Sequence, residues 1–470
     1  MLPSCGLVLA FLATDEGSPD LRDEASRALR RACEFFRNQV AVEGGYVWRY
    51  SLDLSRREGE GDAGRRAAWV QPPGTPAVGL AFLEAHEATG DRFFLEAACE
   101  ATRCLLRGQL RSGGWTYRIE LDAEARVGHA YRSEPEGKKR RNVSTLDDDT
   151  TQCALRLLLK VDRALRFEDA AIHEAALHAL ERLLAAQHSN GGFPQGFDGP
   201  AEPQPVRRAS YPASWPRTHP PQHRYWLLPT LNDGVLENTI DVLLEASRVY
   251  EDPRYREAAL RAGDMLLIAQ MPEPQPGWAQ QYDLDMQPTW ARKFEPPAIS
   301  GGEGQGAMQA LLELYRATAD RKYLDRLPRA LAYYRRSLLP DGRLARFYEL
   351  QTNRPLYFTR DYRLTHDDGD LPRHYAFKVS SKLDGIEREH ARLLALKPDE
   401  LAAERLRAER RSAPGEEEVR RVIAGLDGKG RWVDAGALRS APEVSPIVAS
   451  ETFIRNTGIL ARFLGTRTRP

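Results

Sequence analysis

The segment that decides the fold is Thr75–Leu110, TPAVGLAFLEAHEATGDRFFLEAACEATRCLLRGQL, which holds two helical patterns in direct succession. Apolar residues recur at helical spacing up to Thr89, the pair Gly90-Asp91 interrupts the pattern, and helical spacing resumes from Arg92. Because the connection is so short, the second helix must fold back against the first. The segment therefore predicts a helical hairpin.

Similar pairs of helical patterns recur along the chain. The predicted pairs are Thr150–Leu165 with Ala170–Gln187, Gly234–Tyr250 with Arg254–Gln270, Gln305–Ala319 with Lys322–Leu338, and, less regularly, Ser380–Leu396 with the charged segment 398–425. Single helical patterns at Asp20–Val40 and Ser450–Leu464 each look like half a hairpin, and pairing them would close a ring. We therefore predict an all-α fold, an (α/α) toroid of about six helical hairpins, with short strands only in the loops of a cleft. An arc of fewer hairpins with appended segments is the alternative.

Composition limits the classes of function. The chain has 470 residues, 42% of them hydrophobic, with 67 Lys and Arg residues against 67 Asp and Glu residues. This is ordinary for a globular protein, and the balanced charge argues against a dedicated nucleic-acid binder. No apolar run reaches the length of a membrane span. The cysteines form no CxxC pair and are expected to be small buried hydrophobic residues. They are Cys5, Cys33, Cys99, Cys104 and Cys153.

Acidic residues precede two of the predicted inner helices. In a ring of hairpins the first helices of the units run parallel in the inner layer, so the loops that lead into them line one cleft. Two of these loops are TLDDDT at Thr145–Thr150 and LNDG at Leu231–Gly234. Asp and Asn are favoured residues for capping a helix N-terminus, but one cap requires one such residue rather than three.

We interpret Asp147 and Asp233 as equivalent positions in successive hairpins. Helices that pack together lie about 8–10 Å apart, so two carboxylates at neighbouring N-termini converge on one hard cation. Calcium accepts several oxygen ligands in flexible geometry, and the loops group no soft ligands that would favour zinc or copper. The sequence therefore predicts a calcium site at Asp147 and Asp233.

The loop Pro288–Gly306, PTWARKFEPPAISGGEGQG, carries the aromatic residues Trp290 and Phe294 among alternating charges. More arginine and aromatic residues occur in segments 344–349 and 358–361. Arginine binds planar carboxylates through two hydrogen bonds, and aromatic rings suit the apolar faces of sugars. These loops predict a cleft for an acidic sugar. A packed surface loop with weak surface ion pairs is the structural alternative.

At these residues the chain resembles the family ten polysaccharide lyases, the pectic acid lyases, from about residue 113 to about residue 361. Two Gly-Gly-aromatic turns, at Gly113-Gly114-Trp115 and Gly191-Gly192-Phe193, are similar to turns of that family. The other similar motifs, in chain order, are Leu146-Asp147-Asp148-Asp149-Thr150-Thr151, Asn232-Asp233, Ala291-Arg292-Lys293-Phe294-Glu295, Arg346-Phe347-Tyr348, Thr352–Pro355 and Arg360-Asp361. Each motif is short, and the ordered set is what makes the resemblance specific.

The resemblance implies cleavage of a pectate- or polygalacturonate-like polyuronate by calcium-assisted β-elimination. It assigns Arg292 as the base that removes the sugar's C5 proton, and it implies a role for calcium, whose predicted ligands are Asp147 and Asp233. The implied substrate-binding residues are Asp148, Asn232, Arg346, Arg360, Asp361 and Trp290. An arginine base is chemically demanding, because a free guanidinium is almost never deprotonated near neutral pH, and a neighbouring metal would disfavour its charged form.

The chain departs from the family's pattern at several positions. Asp148 stands where the family has Asn, and Tyr117 stands where it has Lys. These changes leave three alternatives open. One is a toroid glycoside hydrolase that uses Asp147 and Asp233 as acid and base; another is a non-catalytic uronate-binding protein. A terpene-cyclase-like toroid is disfavoured because no DxDD-type motif occurs.

The domain prediction follows from the same patterns. Residues 20–470 form one toroid domain whose lyase-like core is about residues 113–361, and residues 1–19 form a signal-like or disordered N-terminus. The short apolar stretch Gly6–Ala13 favours export to the periplasm or the extracellular space, although no positive residue precedes it. We expect a monomer that binds an acidic polysaccharide, has no membrane span and binds no nucleic acid.

Overall fold

The computed structural model describes residues 19–221, 223–397, 399–401, 404 and 413–466. The predicted N-terminal segment up to residue 18, including Cys5, lies outside the described residues, as do parts of the charged segment 398–425.

Helices form most of the regular structure and follow the predicted pairs closely. They are α1 (Pro19–Phe35), α2 (Thr75–Thr89), α3 (Arg92–Gly108), α4 (Ala123–Arg126), α5 (Thr150–Ala164), α6 (Ala170–Ala185), α7 (Val235–Tyr250), α8 (Pro253–Ala269), α9 (Glu303–Thr318), α10 (Leu327–Arg336), α11 (Leu383–Ala395), α12 (Glu416–Ala424) and α13 (Ser450–Gly465). The prediction of one helix over Lys322–Leu338 is wrong. A 3-10 turn at Arg321–Tyr323 comes first, and α10 starts just before Pro328, which is favoured in a first helical turn.

The helices form two layers of a ring. The inner helices contact one another in the order α13, α2, α5, α7, α9, α11. The outer helices α1, α3, α6 and α8 pack against the inner helices α13, α2, α5 and α7, respectively. Helix α10 follows α9 in the chain, and α12 packs against α13 and α1. The pairing of the first and last helices, and with it the predicted toroid, is confirmed. One contiguous hydrophobic core runs through both layers.

Three of the hairpins turn at an aspartate that starts the outer helix. Asp91, Asp169 and Asp252 accept hydrogen bonds from backbone N–H groups in the first turns of α3, α6 and α8. These caps satisfy N–H groups that lack a partner within the helix. Short connections with strong caps fix the antiparallel packing of each pair.

The Gly-Gly-aromatic turns follow the outer helices and touch the outer helix of the next unit. Gly44 and Gly191 have left-handed φ angles of 79° and 90°. A Cβ atom at these positions would overlap the backbone carbonyl of Glu100 in α3 or of Arg261 in α8. Glycine is therefore required by both conformation and space. The turns act as spacers that set the distance between neighbouring outer helices.

The strands are short and lie in the connections between helices, as predicted. They are β1 (Arg49–Ser51), β2 (Arg57–Glu58), β3 (Ala67–Trp69), β4 (Arg118–Glu120), β5 (Ser144–Thr145), β6 (Gly196–Phe197), β7 (Ile299–Ser300), β8 (Leu344–Ala345), β9 (Phe347–Tyr348), β10 (Pro355–Phe358), β11 (Leu364–Thr365), β12 (Lys378–Val379), β13 (Val433–Asp434) and β14 (Ile447–Ala449). The larger sheets have the strand orders β13-β14-β1-β2 and β11-β10-β9-β7. The antiparallel pair β1–β14 joins the two ends of the chain, with Arg49 opposite Ala449.

Two further predictions can be compared with the described residues. Cys33, Cys99, Cys104 and Cys153 are free, buried thiols, which confirms for these four that the cysteines serve as small hydrophobic side chains. Among the described helices, none combines the length and the apolar character that a membrane crossing requires.

Candidate active site

The segments that lead into α5 and α7 have the same local structure. Each is a 3-10 turn, Asp147–Asp149 and Asn232–Gly234. In both, the second residue is left-handed: φ is 49° at Asp148 and 46° at Asp233. The backbone N–H of the first residue donates to a threonine hydroxyl two residues earlier, at 3.1 Å in both turns. The repeated backbone geometry makes the two turns structural equivalents.

This equivalence corrects the register predicted from the sequence. Asp148, not Asp147, is the counterpart of Asp233, and Asp147 is the counterpart of Asn232. The signal was present in the sequence, because Thr-Leu-Asp-Asp and Thr-Leu-Asn-Asp align residue for residue. The predicted equivalence of Asp147 and Asp233 is wrong because it follows charge, whereas the shared Thr-Leu sets the register.

The turn before α9 extends the repeat. The Gly301 N–H donates to the Arg346 carbonyl, just as the Leu146 N–H donates to the Gln195 carbonyl in the second unit. Two residues further on in the third turn stands Glu303, at the position that Asp148 and Asp233 occupy. The segments at the starts of three successive inner helices therefore carry an acidic residue at the same position.

Three carboxylates meet at these turns. One oxygen from each of Asp147, Asp148 and Asp233 lies within 4.8 Å of the other two. Asp147 is 7% exposed, and its Oδ1 atom is buried without a hydrogen-bond partner. A buried carboxylate oxygen without a partner is costly. The structure thus brings together the two predicted calcium ligands, and adds Asp148, which the resemblance had assigned to substrate binding.

Each of the three carboxylates has its own neutral hydrogen-bond donor. Tyr117 Oη donates to Asp147 Oδ2, Gln71 Nε2 donates to Asp148 Oδ2, and Asn232 Nδ2 donates to Asp233 Oδ2, each at 2.7 Å. Neutral donors orient the carboxylates without cancelling their charge. Asn232, predicted to bind substrate, is 2% exposed and here orients Asp233.

The carboxylates disfavour one another's ionised state. Burial, then the negative charges of Asp147 and Glu60, raise the pKa of Asp148 to about 6. Burial, then Asp147, Glu303 and Asp148, also raise the pKa of Asp233. Desolvation and like charges both penalise the ionised form. A cation placed among the three oxygens would relieve both penalties.

Arg292 lies beside the cluster and is bound by Glu295. Its Nε and Nη2 atoms donate to the two oxygens of Glu295 at 2.8 and 2.6 Å, and its backbone N–H donates to the same carboxylate at 2.9 Å. Nη2 lies 4.0 Å from Asp233 Oδ2. Tyr375 Oη donates to Glu295 at 2.9 Å. Burial acts to lower the pKa of Arg292, but the hydrogen bonds and the negative charge of Glu295 raise it.

Arg346 forms the wall on the α9 side. Its Nη1 donates to Glu303 Oε1 at 3.1 Å, its Nε donates to the Ala376 carbonyl at 2.8 Å, and its guanidinium lies over the Tyr375 ring. Glu303 in turn accepts a hydrogen bond from Ser300. Arg346 therefore lies beside the site through Glu303, and its predicted contact with substrate stays a prediction. A cavity of about 610 Å³ opens next to it between α7 and α9, lined in part by Gly234, Glu303 and Lys382.

Three other predicted substrate-binding residues lie away from the carboxylates. Trp290 is 2% exposed, and its Nε1 donates to the Pro216 carbonyl, so it supports the loop in this structure. A direct sugar contact for Trp290 stays a prediction, and its burial argues against it. Arg360 pairs with Asp370 at 3.1 Å, and Asp361 with Arg363 at 2.7 Å, all within one exposed loop. The structure does not bring Arg360 or Asp361 into hydrogen-bonding contact with the carboxylate cluster.

The residues present fit a hard cation. One oxygen from each of the three carboxylates lies within 4.8 Å of the other two, a spacing compatible with shared binding of one ion at calcium–oxygen distances of about 2.4 Å. The unpartnered Asp147 Oδ1 supplies a free ligand atom. The donor set is entirely oxygen, which suits calcium or magnesium and not zinc or copper. Asp147, Asp148 and Asp233 are the residues that would hold the ion.

Comparison with known families shows which family the chain belongs to. Residues 109–343, half of the chain, match the family model described as pectic acid lyase. The chain belongs to the pectic acid lyase family. This confirms the resemblance drawn from the motifs and makes the protein a polysaccharide lyase. The matched region contains Asp147, Asp148, Asp233 and Arg292 but not Gln71 or Tyr375.

Solved structures of similar proteins include family 10 polysaccharide lyase from Cellvibrio cellulosa. One is 20% identical, covers 68% of this chain and 98% of that chain, and has a TM-score of 0.47. A mutant of the same lyase in complex with trigalacturonic acid is 19% identical with the same coverage and TM-score. Cellobiose 2-epimerase from Bacillus thermoamylovorans is 12% identical, covers 94% of this chain and 99% of that chain, and has a TM-score of 0.48. A comparison with curated protein sequences gives no significant match.

Proposed function

We propose that this lyase cleaves a polygalacturonate-like polyuronate by β-elimination, and that calcium bound at Asp147, Asp148 and Asp233 assists the reaction. The observation that carries the proposal is the placement of these three carboxylates next to Arg292, whose Nη2 lies 4.0 Å from Asp233. A carboxylate cluster that could hold a cation lies next to an arginine. This arrangement suits a substrate whose carboxylate is held by the cation and whose proton is removed nearby.

The chemistry explains why both charges are needed. β-Elimination removes the proton at C5, next to the sugar carboxylate, forms a double bond between C4 and C5, and breaks the bond from C4 to the leaving oxygen. Negative charge therefore builds up beside an existing anion as the proton leaves. When bound, calcium would offset much of the negative charge of the three aspartates and draw electron density from a uronate carboxylate, which favours loss of that proton. Of the chain's own cations, Arg346 lies beside Glu303 and over the Tyr375 ring and would stabilise the same charge.

Arg292 has two of its nitrogens committed to Glu295, which fixes the plane of the guanidinium. Its Nη1 atom is the remaining terminal nitrogen and is the one left for a substrate. Asp233 and Glu295 favour the protonated form of Arg292, and neutralising Asp233 removes one of these two contributions. The base role that the resemblance assigns to Arg292 is part of this proposal: a bound cation would favour the neutral guanidine that can take the C5 proton, and Glu295 sets its orientation.

The test is the formation of unsaturated uronate product. The full chain is incubated with polygalacturonate, and absorbance of the unsaturated product is followed with calcium, with a chelator, and after calcium is restored. Absorbance that rises with calcium, stops with chelator and recovers supports the proposal. New reducing ends without the unsaturated product would instead identify a hydrolase that uses the paired carboxylates.

The variant Asp233→Ala locates the cation. We expect weaker calcium binding by calorimetry together with loss of lyase activity. Asp241→Ala is the matched control, because Asp241 lies on the same helix, α7, and pairs with Arg156 at 3.1 Å. Unchanged calcium affinity in Asp233→Ala would show that the cation does not bind at this cluster.

A further inference from the structure

Gln71 occupies in the first unit the place that Asp147 and Asn232 occupy in the next two. The Val70 N–H donates to the Tyr117 carbonyl, just as the Leu146 N–H donates to the Gln195 carbonyl. The residue that follows each of these N–H groups is Gln71 in one unit and Asp147 in the other. Gln71 is therefore a member of the repeated site, although it lies outside the part of the chain that matches the family.

The repeat also explains what Gln71 contacts. The first polar residue of one unit faces the second polar residue of the next unit: Asp147 faces Asp233 in the carboxylate cluster. By the same relation Gln71 faces Asp148, and its Nε2 atom lies 2.7 Å from Asp148 Oδ2. This contact joins residues 77 positions apart in the sequence.

The orientation of the Gln71 amide is fixed by its other partners. Trp69 Nε1 donates to Gln71 Oε1 at 3.2 Å. An indole N–H is a donor only, so the amide oxygen must face Trp69 and the amide NH₂ must face Asp148. Trp48 Nε1 donates to the Gln71 backbone carbonyl at 2.9 Å. Gln71 is 7% exposed, so its side chain is held from both ends in a buried position.

We propose that Gln71 is a positioning residue for the cation site: it holds Asp148 by one oxygen and so presents the other oxygen to the metal. The inference rests on the proposed cation site and extends it to the region before the family-matched segment. Without the Gln71 donor, Asp148 would turn away from Asp147, because like charges repel and no other neutral donor holds it among the described contacts. Partners that orient metal ligands typically change metal affinity by about 10- to 100-fold.

The test is calcium affinity and not activity alone. Full-length protein freed of metal is titrated with calcium by calorimetry, for wild type, Gln71→Met and Gln71→Asn. Methionine keeps the length of the side chain and removes the donor, and asparagine keeps an amide that is one methylene too short to reach both partners. We expect the dissociation constant to rise by about tenfold or more in Gln71→Met and by less in Gln71→Asn.

Gln109→Met is the matched control. Gln109 is 1% exposed and its amide donates to the carbonyls of Gly113 and Ala175, so its loss lowers the melting temperature without touching the site. The inference would be overturned if Gln71→Met binds calcium with the wild-type dissociation constant but melts at a lower temperature in chelator. Gln71 would then have a structural role only.

The outcomes separate the inference from the proposed function. Wild type that cleaves polygalacturonate but binds no calcium overturns the inference and leaves the lyase activity standing. Calcium binding that weakens in Gln71→Met, without any unsaturated product from wild type, supports the inference while the substrate proposal fails.

Discussion

The guanidinium of Arg292 is shared between two carboxylates, with two hydrogen bonds to Glu295 and a 4.0 Å approach to Asp233 Oδ2. Glu295 is 2% exposed and also accepts a hydrogen bond from Tyr375. A buried carboxylate that grips both Nε and Nη2 holds the guanidinium plane in one orientation. A lysine ammonium is a point charge and cannot keep this geometry.

Arg292→Lys should therefore lose most of the rate. If Arg292 takes the proton, kcat and kcat/KM fall together by about 100-fold or more, while calcium binding is kept. Raising the pH should partly restore the lysine variant, because lysine titrates within reach of assay conditions and arginine does not. Steady-state kinetics, calorimetry and melting temperature are measured together.

The neighbouring exposed residue provides the control for Arg292. Lys293 lies over the Tyr362 ring at 3.8 Å and makes no contact with the carboxylates among those described. Lys293→Ala should keep a near-normal kcat. A near-normal kcat in Arg292→Lys, with only a lower melting temperature, would remove Arg292 from the mechanism.

Asp148→Asn should move stability and calcium affinity in opposite directions. Asparagine restores the residue that the resembling family carries here and still offers an oxygen to Gln71. Removing one of three crowded negative charges should raise the melting temperature in chelator, because burial and Asp147 already raise the pKa of Asp148 to about 6. The same change should weaken calcium binding by about tenfold, because ligand charge sets calcium affinity.

Asp149→Asn is the matched control for Asp148→Asn. Asp149 is the next residue, and its carboxylate pairs with Arg156 at 3.1 Å. Its loss should lower the melting temperature and leave calcium affinity unchanged. If Asp148→Asn binds calcium as tightly as wild type, Asp148 does not contribute charge to the cation site.

The fold was predictable because its signals are local. Helical spacing, the aspartates that start the outer helices and the Gly-Gly turns are each contained in a few residues, so the hairpins and the toroid followed from the sequence. The family motifs likewise placed Asp147, Asp233 and Arg292 near one another. The register between the first two turns was also encoded, in the shared Thr-Leu. Matching the turns by charge instead paired Asp147 with Asp233, which is the wrong pair.

The rest of the site depends on contacts between distant segments. Gln71 reaches Asp148 across 77 positions and Tyr375 reaches Glu295 across 80, and no local pattern announces either contact. The burial of Trp290 is a similar case. Trp290 is buried because it packs against His219 and Phe358, which are distant in the sequence. The loop sequence alone therefore does not show whether Trp290 faces the cleft or the core.

Arg360→Lys tests whether the exposed loop beside Tyr362 contributes to substrate binding. Arg360 has a 63% exposed side chain and one partner, Asp370, so its replacement should leave the melting temperature unchanged. If Arg360 holds a uronate carboxylate through two bonds, the lysine variant should raise KM or the oligouronate dissociation constant severalfold while kcat changes less. Arg363→Lys is the control, since Arg363 lies in the same loop with an 82% exposed side chain. Wild-type affinity for oligouronates in Arg360→Lys would rule out the assignment.

His188 should make the fold less stable in mild acid. His188 follows the end of α6 and is 9% exposed. Its Nδ1 atom lies 3.1 Å from Gln204 Nε2. Burial lowers the pKa of His188 to about 4, whereas an unfolded histidine titrates near 6.5. Between these values the unfolded chain binds the extra proton and the folded chain does not, so stability falls as the pH drops from 6.5 toward 4. Between pH 7 and pH 5 this one group removes about 2 kcal/mol of folding free energy.

The measurement is the melting temperature of full-length protein at pH 7 and pH 5. The decrease should be smaller in His188→Gln than in wild type, because glutamine stays neutral in both states. His374→Gln is the control, since His374 is exposed in the loop region near Phe294, and it should keep the wild-type decrease. An equal decrease in His188→Gln and wild type would show that His188 is not the buried neutral group whose protonation destabilises the fold.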